Sequence, residues 1–256
     1  MTINVVKIGG NVIDNAYALE SFIMDFAQLP SPKILVHGGG KLATALSKKL
    51  EIETHMIDGR RVTDKETLDV VTMVYAGLVN KNIVAKLQRE HCNSVGLCGA
   101  DGNVIPAVRR NPVPIDFGYV GDIDVEQIDV AFIQHLLQKG ITPVFCALTH
   151  DGKGSILNSN ADSVASAIAV ALTCIGEVDL TFCMELPGVM RDISNESSLI
   201  SHLDADTYVA LKQQGIISKG MIPKIDNAFT AVSQGVRKVI IKKAENLNQN
   251  IGTTIQ

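Results

Sequence analysis

The chain has 256 residues, 46% of them hydrophobic, with abundant Val, Ile and Ala, few aromatics and no Trp. That length can bury a sizeable core in one large or two modest domains, and the composition suits a soluble α/β protein whose parallel strands are covered on both faces. The 23 Lys and Arg stand against 27 Asp and Glu, a formal charge of -4, which argues against a nucleic-acid or anionic-membrane surface as the main business.

Strand-like sequence begins by residue 3 without an h-region, so no signal peptide is expected, and no apolar run is read as a membrane span. The five cysteines (Cys92, Cys98, Cys146, Cys174 and Cys183) lack C-x-x-C spacing and are expected to be reduced residues of a cytoplasmic protein. The six histidines form no pair with metal-ligand spacing, so a protein-bound zinc site is not expected.

In chain order, Asn4-Val5-Val6-Lys7-Ile8 is a short β-type run closed by Gly9-Gly10-Asn11, and helical sequence follows from Ala16 to Leu29. This is the strand-loop-helix unit from which open α/β sheets are wound. Lys7 stands where the strand runs out, beside glycines that let an anion approach the backbone N–H groups. A surface lysine before a turn would read the same way. The unit repeats at Lys33-Ile34-Leu35-Val36-His37, whose closing Gly38-Gly39-Gly40 feeds helical sequence from Lys41 to Leu50. Such a helix start offers free N–H groups and a partial positive charge.

A rival reading arises here. Gly38 to Ala43 satisfies G-x-G-x-x-A, and Asp58 follows about twenty residues on, as a nicotinamide-dependent dehydrogenase wants. That fingerprint normally follows the first strand of its unit, however, and this one follows the second. A Walker A loop is excluded, because Leu42 stands where Ser or Thr is needed.

Arg60-Arg61-Val62-Thr63 closes a turn and leads into helical sequence from Lys65 to Glu90. Leu68, Val70, Val71, Met73, Val74, Tyr75, Leu78 and Val79 cover most of its directions, whereas a helix packing on its own domain needs one stripe. A second subunit on this helix, in a two-fold homodimer, is therefore expected; a deeply buried helix of a monomer is the alternative. Ser94 to Leu97 reads as a strand, Val108 to Val120 with Arg109 and Arg110 as a hairpin or lid, Asp124 to Lys139 as helix, and Ile141 to Ala147 as strand.

In Asn158-Ser159-Asn160-Ala161-Asp162 the two asparagines share a face if extended, and Asp162 opens a helix that runs to Leu172. Asn160 can cap that helix, yet three polar groups between apolar segments exceed what a cap needs. Asp179 to Met184 is a strand closed by Pro187-Gly188, Ala205 to Gln214 an amphipathic helix, and Val236 to Lys242 the last strand before a polar tail. Pro223 is placed to begin a helix, which puts Lys224 in a first turn, where the dipole disfavours a cation. An anion close to Lys224 is therefore expected.

Lys7-Ile8-Gly9-Gly10, Val36-His37-Gly38-Gly39-Gly40, Arg61-Val62-Thr63, Asn158-x-Asn160-Ala161-Asp162 and Gly220-Met221-x-Pro223-Lys224, in this order, resemble the amino-acid kinase family over essentially the whole chain. Within it they are similar to the members that phosphorylate the side-chain carboxylate of N-acetyl-L-glutamate in the second step of arginine biosynthesis. The resemblance implies a three-layer α/β/α sandwich around a mostly parallel open sheet. It implies an N-terminal lobe, residues 1–174, for the acyl amino acid and the dimer contact, and a C-terminal lobe, residues 175–256, for ATP with Mg2+ carried mainly by the nucleotide. Lys7 and Lys224 match the lysines that embrace the transferring phosphoryl group, and Asp162 the carboxylate between them. Gly10 and Gly39 match N–H donors to the phosphoryl oxygens, with Gly9, Asn11 and Gly40 beside them. Arg61 and Asn158 match residues holding the substrate's α-carboxylate, with Asn160, Gly38 and Gly39 in the same subsite. Glu185, Gly188, Gly220 and Met221 fall to the nucleotide.

Two departures from the family pattern stand out. Met184-Glu185 replaces the usual Ser/Thr-Asp at the end of the nucleotide-lobe strand, and only three residues precede the first strand, where arginine-inhibited members carry a further helix. A dimer insensitive to arginine is expected. Other acceptors of the family remain open, among them N-succinyl-L-glutamate, whose extra carboxylate Arg109 or Arg110 could meet if they are not plain surface charge. A non-catalytic sensor on the same fold is the remaining alternative, and retention of both lysines and Asp162 weighs against it.

Overall fold

The computed structural model describes residues 2–57, 59–217 and 221–256. Asp58, the acidic member of the dehydrogenase fingerprint, and Gly220 lie outside the described residues. Eight strands form the central sheet: β1 (Thr2–Ile8), β2 (Lys33–His37), β3 (Ser94–Leu97), β4 (Thr142–Cys146), β5 (Glu177–Met184), β6 (His202–Leu203), β7 (Lys238–Lys243) and β8 (Thr253–Ile255). Their order across the sheet is β6-β8-β7-β5-β1-β2-β4-β3. All pairings are parallel except β7 with β8. β2 and β4 are buried at every position, as strands covered on both faces must be, and this is why their residues are apolar without alternation.

The helices α1 (Gly10–Asp14), α2 (Ala16–Gln28), α3 (Gly40–Lys49), α4 (Lys65–Thr72), α5 (Asn80–Arg89), α6 (Val130–Gln138), α7 (Ala161–Ala171), α8 (Ala205–Gln213) and α9 (Ile222–Ser233) complete three α/β/α layers. α7 packs over β1, β2 and β5 and against α9, whereas α5 lies over β3 and β4 and against α2. Parallel register brings Ile8, His37 and Cys183 side by side at the carboxyl ends of β1, β2 and β5, the edge where open α/β sheets bind their ligands.

Three expectations are corrected. The stretch from Asp124 to Lys139 is not one helix: Asp124 caps a 3-10 turn at Val125–Gln127, and Asp129 then caps α6. Two successive Asx caps interrupt what periodicity alone joins. The polar tail contributes β8, whose alternating Thr253 and Ile255 face the core. The run Lys65–Arg89 is, by length and composition, long and apolar enough to cross a membrane. It is continuous but changes to π-helix at Met73–Val79 between α4 and α5. Leu68, Val70, Val71, Val74, Tyr75, Val79, Ile83 and Leu87 are buried within the chain, while Met73 and Leu78 are exposed.

At the carboxyl edge a polar knot joins three strands to α5. Asn80 Nδ2 donates to His37 Nε2 (3.0 Å) and to the Val144 carbonyl (2.9 Å), while Lys81 Nζ donates to Asn80 Oδ1 (3.2 Å) and to the Gly96 carbonyl (2.9 Å). With Nε2 accepting, His37 Nδ1 carries the proton and donates to the Gly38 carbonyl (2.7 Å), which holds the head of the glycine turn. Burial pushes the His37 imidazole down to about 4 from 6.5, and the Lys81 charge acts in the same direction against the Gly38 bond. The unfolded chain therefore binds a proton below 6.5 that the folded chain refuses until about 4, so stability is lost as the pH falls through that window, by on the order of 3 kcal/mol. Urea midpoints measured across this range should fall steeply for the wild type and much less for His37→Gln; equal slopes would remove His37 as the cause.

Candidate active site

Asp162 is where the elements meet. Asn160 follows the short strand Ile156–Asn158 by two residues and caps α7, its Oδ1 accepting from the N–H groups of Asp162 (2.8 Å) and Ser163 (3.2 Å). The capped first turn points Asp162 back over the end of β1. Lys7 Nζ lies 2.6 Å from Asp162 Oδ1, and Lys224 Nζ, in the first turn of α9, donates to Oδ2 at 2.5 Å. Burial alone would push this carboxyl up, but the two ammonium groups outweigh it and hold it down at about 2. Asp162 is thus ionised throughout the working range, and a single carboxylate fixes the spacing of two lysines from opposite ends of the chain. The anion expected beside Lys224 is in part this one. One negative charge against two positive leaves the pair with a net charge to offer a ligand.

Two glycine turns flank the lysines. Gly9 precedes α1, and a Cβ on it would lie 4.0 Å from Lys7 Nζ; Gly39 precedes α3, and neither turn supplies a side-chain cap to the N–H groups of its helix. Gly38 rests against the start of α7, where its Cβ would meet Ala161 Cβ at 3.7 Å. At Gly39 the approach is closer: a Cβ would sit 2.9 Å from the Tyr75 ring, so only glycine lets the turn lie on that ring.

Beyond the turns, Arg61 is buried, with Nη2 donating to the Gly40 carbonyl (2.9 Å) and to Thr44 Oγ1 (2.8 Å). Its Nη1 is buried without a hydrogen-bond partner among the described residues, an unmet donor on a cation. Asn158 Nδ2 donates to Thr63 Oγ1 (3.0 Å), and the segment around Gly118 passes between their backbones through isolated bridges of Gly118 to Thr63 and Val120 to Asn158. Thr63 N–H donates to the Phe117 carbonyl (2.9 Å), Tyr119 N–H to the Thr63 carbonyl (2.7 Å), and Asn158 N–H to the Tyr119 carbonyl (2.8 Å). Gly118 makes the crossing feasible: its φ is +74°, and a Cβ would fall 2.1 Å from the Thr63 carbonyl oxygen. The Arg-Val-Thr and Asn-x-Asn motifs, nearly a hundred residues apart, are stitched together through this lid.

The other sequence-assigned residues fall as follows. Gly10 and Gly40 are the first residues of α1 and α3, and Asn11 is half-buried in α1. Glu185 is exposed just past β5, at the carboxyl edge. Gly188 is buried, and a Cβ there would lie 2.6 Å from Thr253 Oγ1, so it serves packing whatever else it does. Met221 is buried at the head of α9. The lid arginines have local partners: Arg110 Nε donates to both carboxylate oxygens of Asp122 (3.0 and 3.1 Å), and Arg109 stacks 4.7 Å from the Tyr119 ring centroid while Nε donates to the Gly118 carbonyl (2.8 Å). Sequence reasoning gave no role to the Tyr75, Thr63 and Gly118 contacts. A tyrosine among aliphatic residues and a glycine between aromatics were the signals available.

Comparison with known proteins gives the family. Residues 2–243 match the model of the amino acid kinase family. The acetylglutamate kinase of Cytophaga hutchinsonii is 54% identical, with 98% of this chain and 97% of that protein covered. That of Phocaeicola vulgatus is 46% identical over 99% and 98% respectively. A crystal structure of a Streptococcus mutans protein superposes with a TM-score of 0.81 at 28% identity, covering 99% of this chain and 98% of that one. A family model spanning nearly all residues and relatives of this identity, on top of a half-buried Lys-Asp-Lys clamp beside glycine turns, establish that this chain belongs to the amino acid kinase family.

Proposed function

We infer that this chain is an ATP-dependent kinase that phosphorylates the side-chain carboxylate of N-acetyl-L-glutamate, acting in arginine biosynthesis. The observation that carries this is the Asp162 clamp on Lys7 and Lys224, set in a chain 54% identical to an acetylglutamate kinase. A glutamate side chain, with a pKa near ~4.3, is already ionised at neutral pH, so the nucleophile needs no general base. Its oxygen attacks the γ-phosphorus of ATP, the bond from that phosphorus to the β,γ-bridging oxygen breaks, and acyl phosphate and ADP result. The difficulty is electrostatic, since two anions must be brought in line. Lys7 and Lys224 lower that repulsion and stabilise the charge spreading over the phosphoryl oxygens, while the N–H groups of the two glycine turns add fixed dipoles at no cost of reorganisation.

The donor set favours a metal carried by the nucleotide, because Asp162, the central carboxylate, has both oxygens engaged by lysines. Mg2+ on the triphosphate would neutralise part of its charge. In this reading the unmet Arg61 Nη1 takes the α-carboxylate of the substrate, with Asn158 beside it, in an N-terminal lobe of residues 1–174. ATP lies on the C-terminal lobe, residues 175–256, along Glu185, Gly188, Gly220 and Met221. The enzyme works in the cytoplasm as a homodimer, and the exposed Met73 and Leu78 support a contact through that face of the π-helical run.

With N-acetyl-L-glutamate and Mg-ATP, acyl phosphate trapped by hydroxylamine should accumulate. Lys7→Ala should lower kcat by roughly 10²–10³ with a smaller effect on KM. An unchanged kcat would take Lys7 out of the mechanism. Leu78→Glu should shift the protein from dimer to monomer in analytical ultracentrifugation; a dimer that survives it places the contact elsewhere.

A further inference from the structure

Tyr75 is the one aromatic on the long helix whose burial is accompanied by contact with the glycine turn, and nothing in the phosphoryl-transfer chemistry above uses it. It sits in the π-helical segment Met73–Val79, a form rare in proteins and frequent at functional sites, because the extra residue per turn rotates a side chain out of the regular stripe. Here the segment buries Val74, Tyr75 and Val79 together while Met73 and Leu78 stay outside. The Tyr75 ring lies under Gly39, within 3.1 Å of where a Cβ would be at two of its carbons. Its hydroxyl comes up beside Gly40, at 3.7 Å from the position a Cβ would take there, and Arg61 Nη2 stands 4.0 Å from the same point. The hydroxyl and the guanidinium therefore share one rim of the turn, and Arg61 Nη1 has no partner among the described residues.

We propose that Tyr75 is a substrate-positioning residue that donates its hydroxyl hydrogen to the same carboxylate that Arg61 binds, adding a neutral donor to that site at the Gly39–Gly40 turn. This rests on the function inferred above. A carboxylate offers more lone pairs than one guanidinium nitrogen can fill, and a phenol adds a directional donor without adding charge. Burial pushes the Tyr75 hydroxyl up from its ordinary value, against the pull of the Arg61 charge, so it is a protonated donor at neutral pH. The ring contact has a second effect: it keeps Gly39 and Gly40 at a fixed height, so the carboxylate is bound in register with the N–H groups of the turn.

The test is Tyr75→Phe in the full chain, which keeps the ring on Gly39 and removes only the hydroxyl. Calorimetric binding and steady-state kinetics are run with N-acetyl-L-glutamate and with 4-acetamidobutyrate, its analogue without the α-carboxyl group. The expected result is an N-acetyl-L-glutamate affinity and KM weakened about 10- to 100-fold, the range for a hydrogen bond to a charged group, with kcat and the KM for ATP nearly unchanged. The analogue, which lacks the α-carboxylate, should bind wild type and variant alike. An unchanged KM for N-acetyl-L-glutamate overturns the proposal. So does an equal loss with the analogue, which would mean that the hydroxyl supports packing. Failure of wild type to bind N-acetyl-L-glutamate while it binds Mg-ATP would instead defeat the function inferred above, and the proposal with it.

Discussion

The structure depends on one carboxylate held between two ammonium groups. Asp162 is almost buried, and an ionised group there is tolerated only because Lys7 and Lys224 approach it from either side. The dependence is mutual. Lys7 lies one residue from the end of β1 and Lys224 in the first turn of α9, so Asp162 ties the end of that strand to the head of that helix. Removing Asp162 would leave two ammonium groups facing one another without their shared counter-charge. The same arrangement leaves a surplus of positive charge in a half-buried site, where a charge acts more strongly than it does in open water.

Around this clamp the molecule is organised to hold backbone in place. The turn at Gly38 to Gly40 is fixed at its head by His37, at its middle by the Tyr75 ring, and at its end by Arg61 on the Gly40 carbonyl. The lid is fixed by backbone hydrogen bonds to Thr63 and Asn158 on either side of Gly118. Neither device places a reactive group. Each instead limits where N–H donors and the Arg61 guanidinium stand, which is what a reaction limited by positioning and charge requires.

Burial of a lysine does not by itself mark function, as this chain illustrates. Lys33 Nζ donates to the carbonyls of Phe26, Ala27 and Leu29 at the end of α2 (2.9, 2.6 and 2.8 Å), and Lys242 Nζ to those of Asn246, Leu247 and Gln249 (3.1, 3.2 and 2.7 Å). Both have their donors satisfied by the fold. Lys7 and Lys224 instead each pair with one oxygen of a shared carboxylate, and among the described residues neither ammonium group donates to a carbonyl. The long helix makes a parallel point. Its apolar residues in most directions suggested a second subunit, yet α4 buries Leu68, Val70 and Val71 and the π-helical segment buries Val74, Tyr75 and Val79, leaving Met73 and Leu78 as its exposed apolar residues.

The sequence alone determined the strand-loop-helix repeats, since apolar runs that end in glycine admit few other local structures. It also determined the candidacy of Lys7, Lys224 and Asp162, because a cation in a first helical turn demands a nearby anion whatever the fold. Periodicity could not locate the two aspartate caps that divide the helix before β4, nor β8 in a polar tail, because caps and edge pairing depend on a few side chains and on a neighbour distant in sequence. Only the tertiary structure decided that Asp162 serves both lysines, that Gly118 threads between Thr63 and Asn158, and that Tyr75 lies beneath Gly39. Each of these is a contact between residues far apart in the chain, and a distance between such residues is set by the packing of the whole sheet rather than by any local preference.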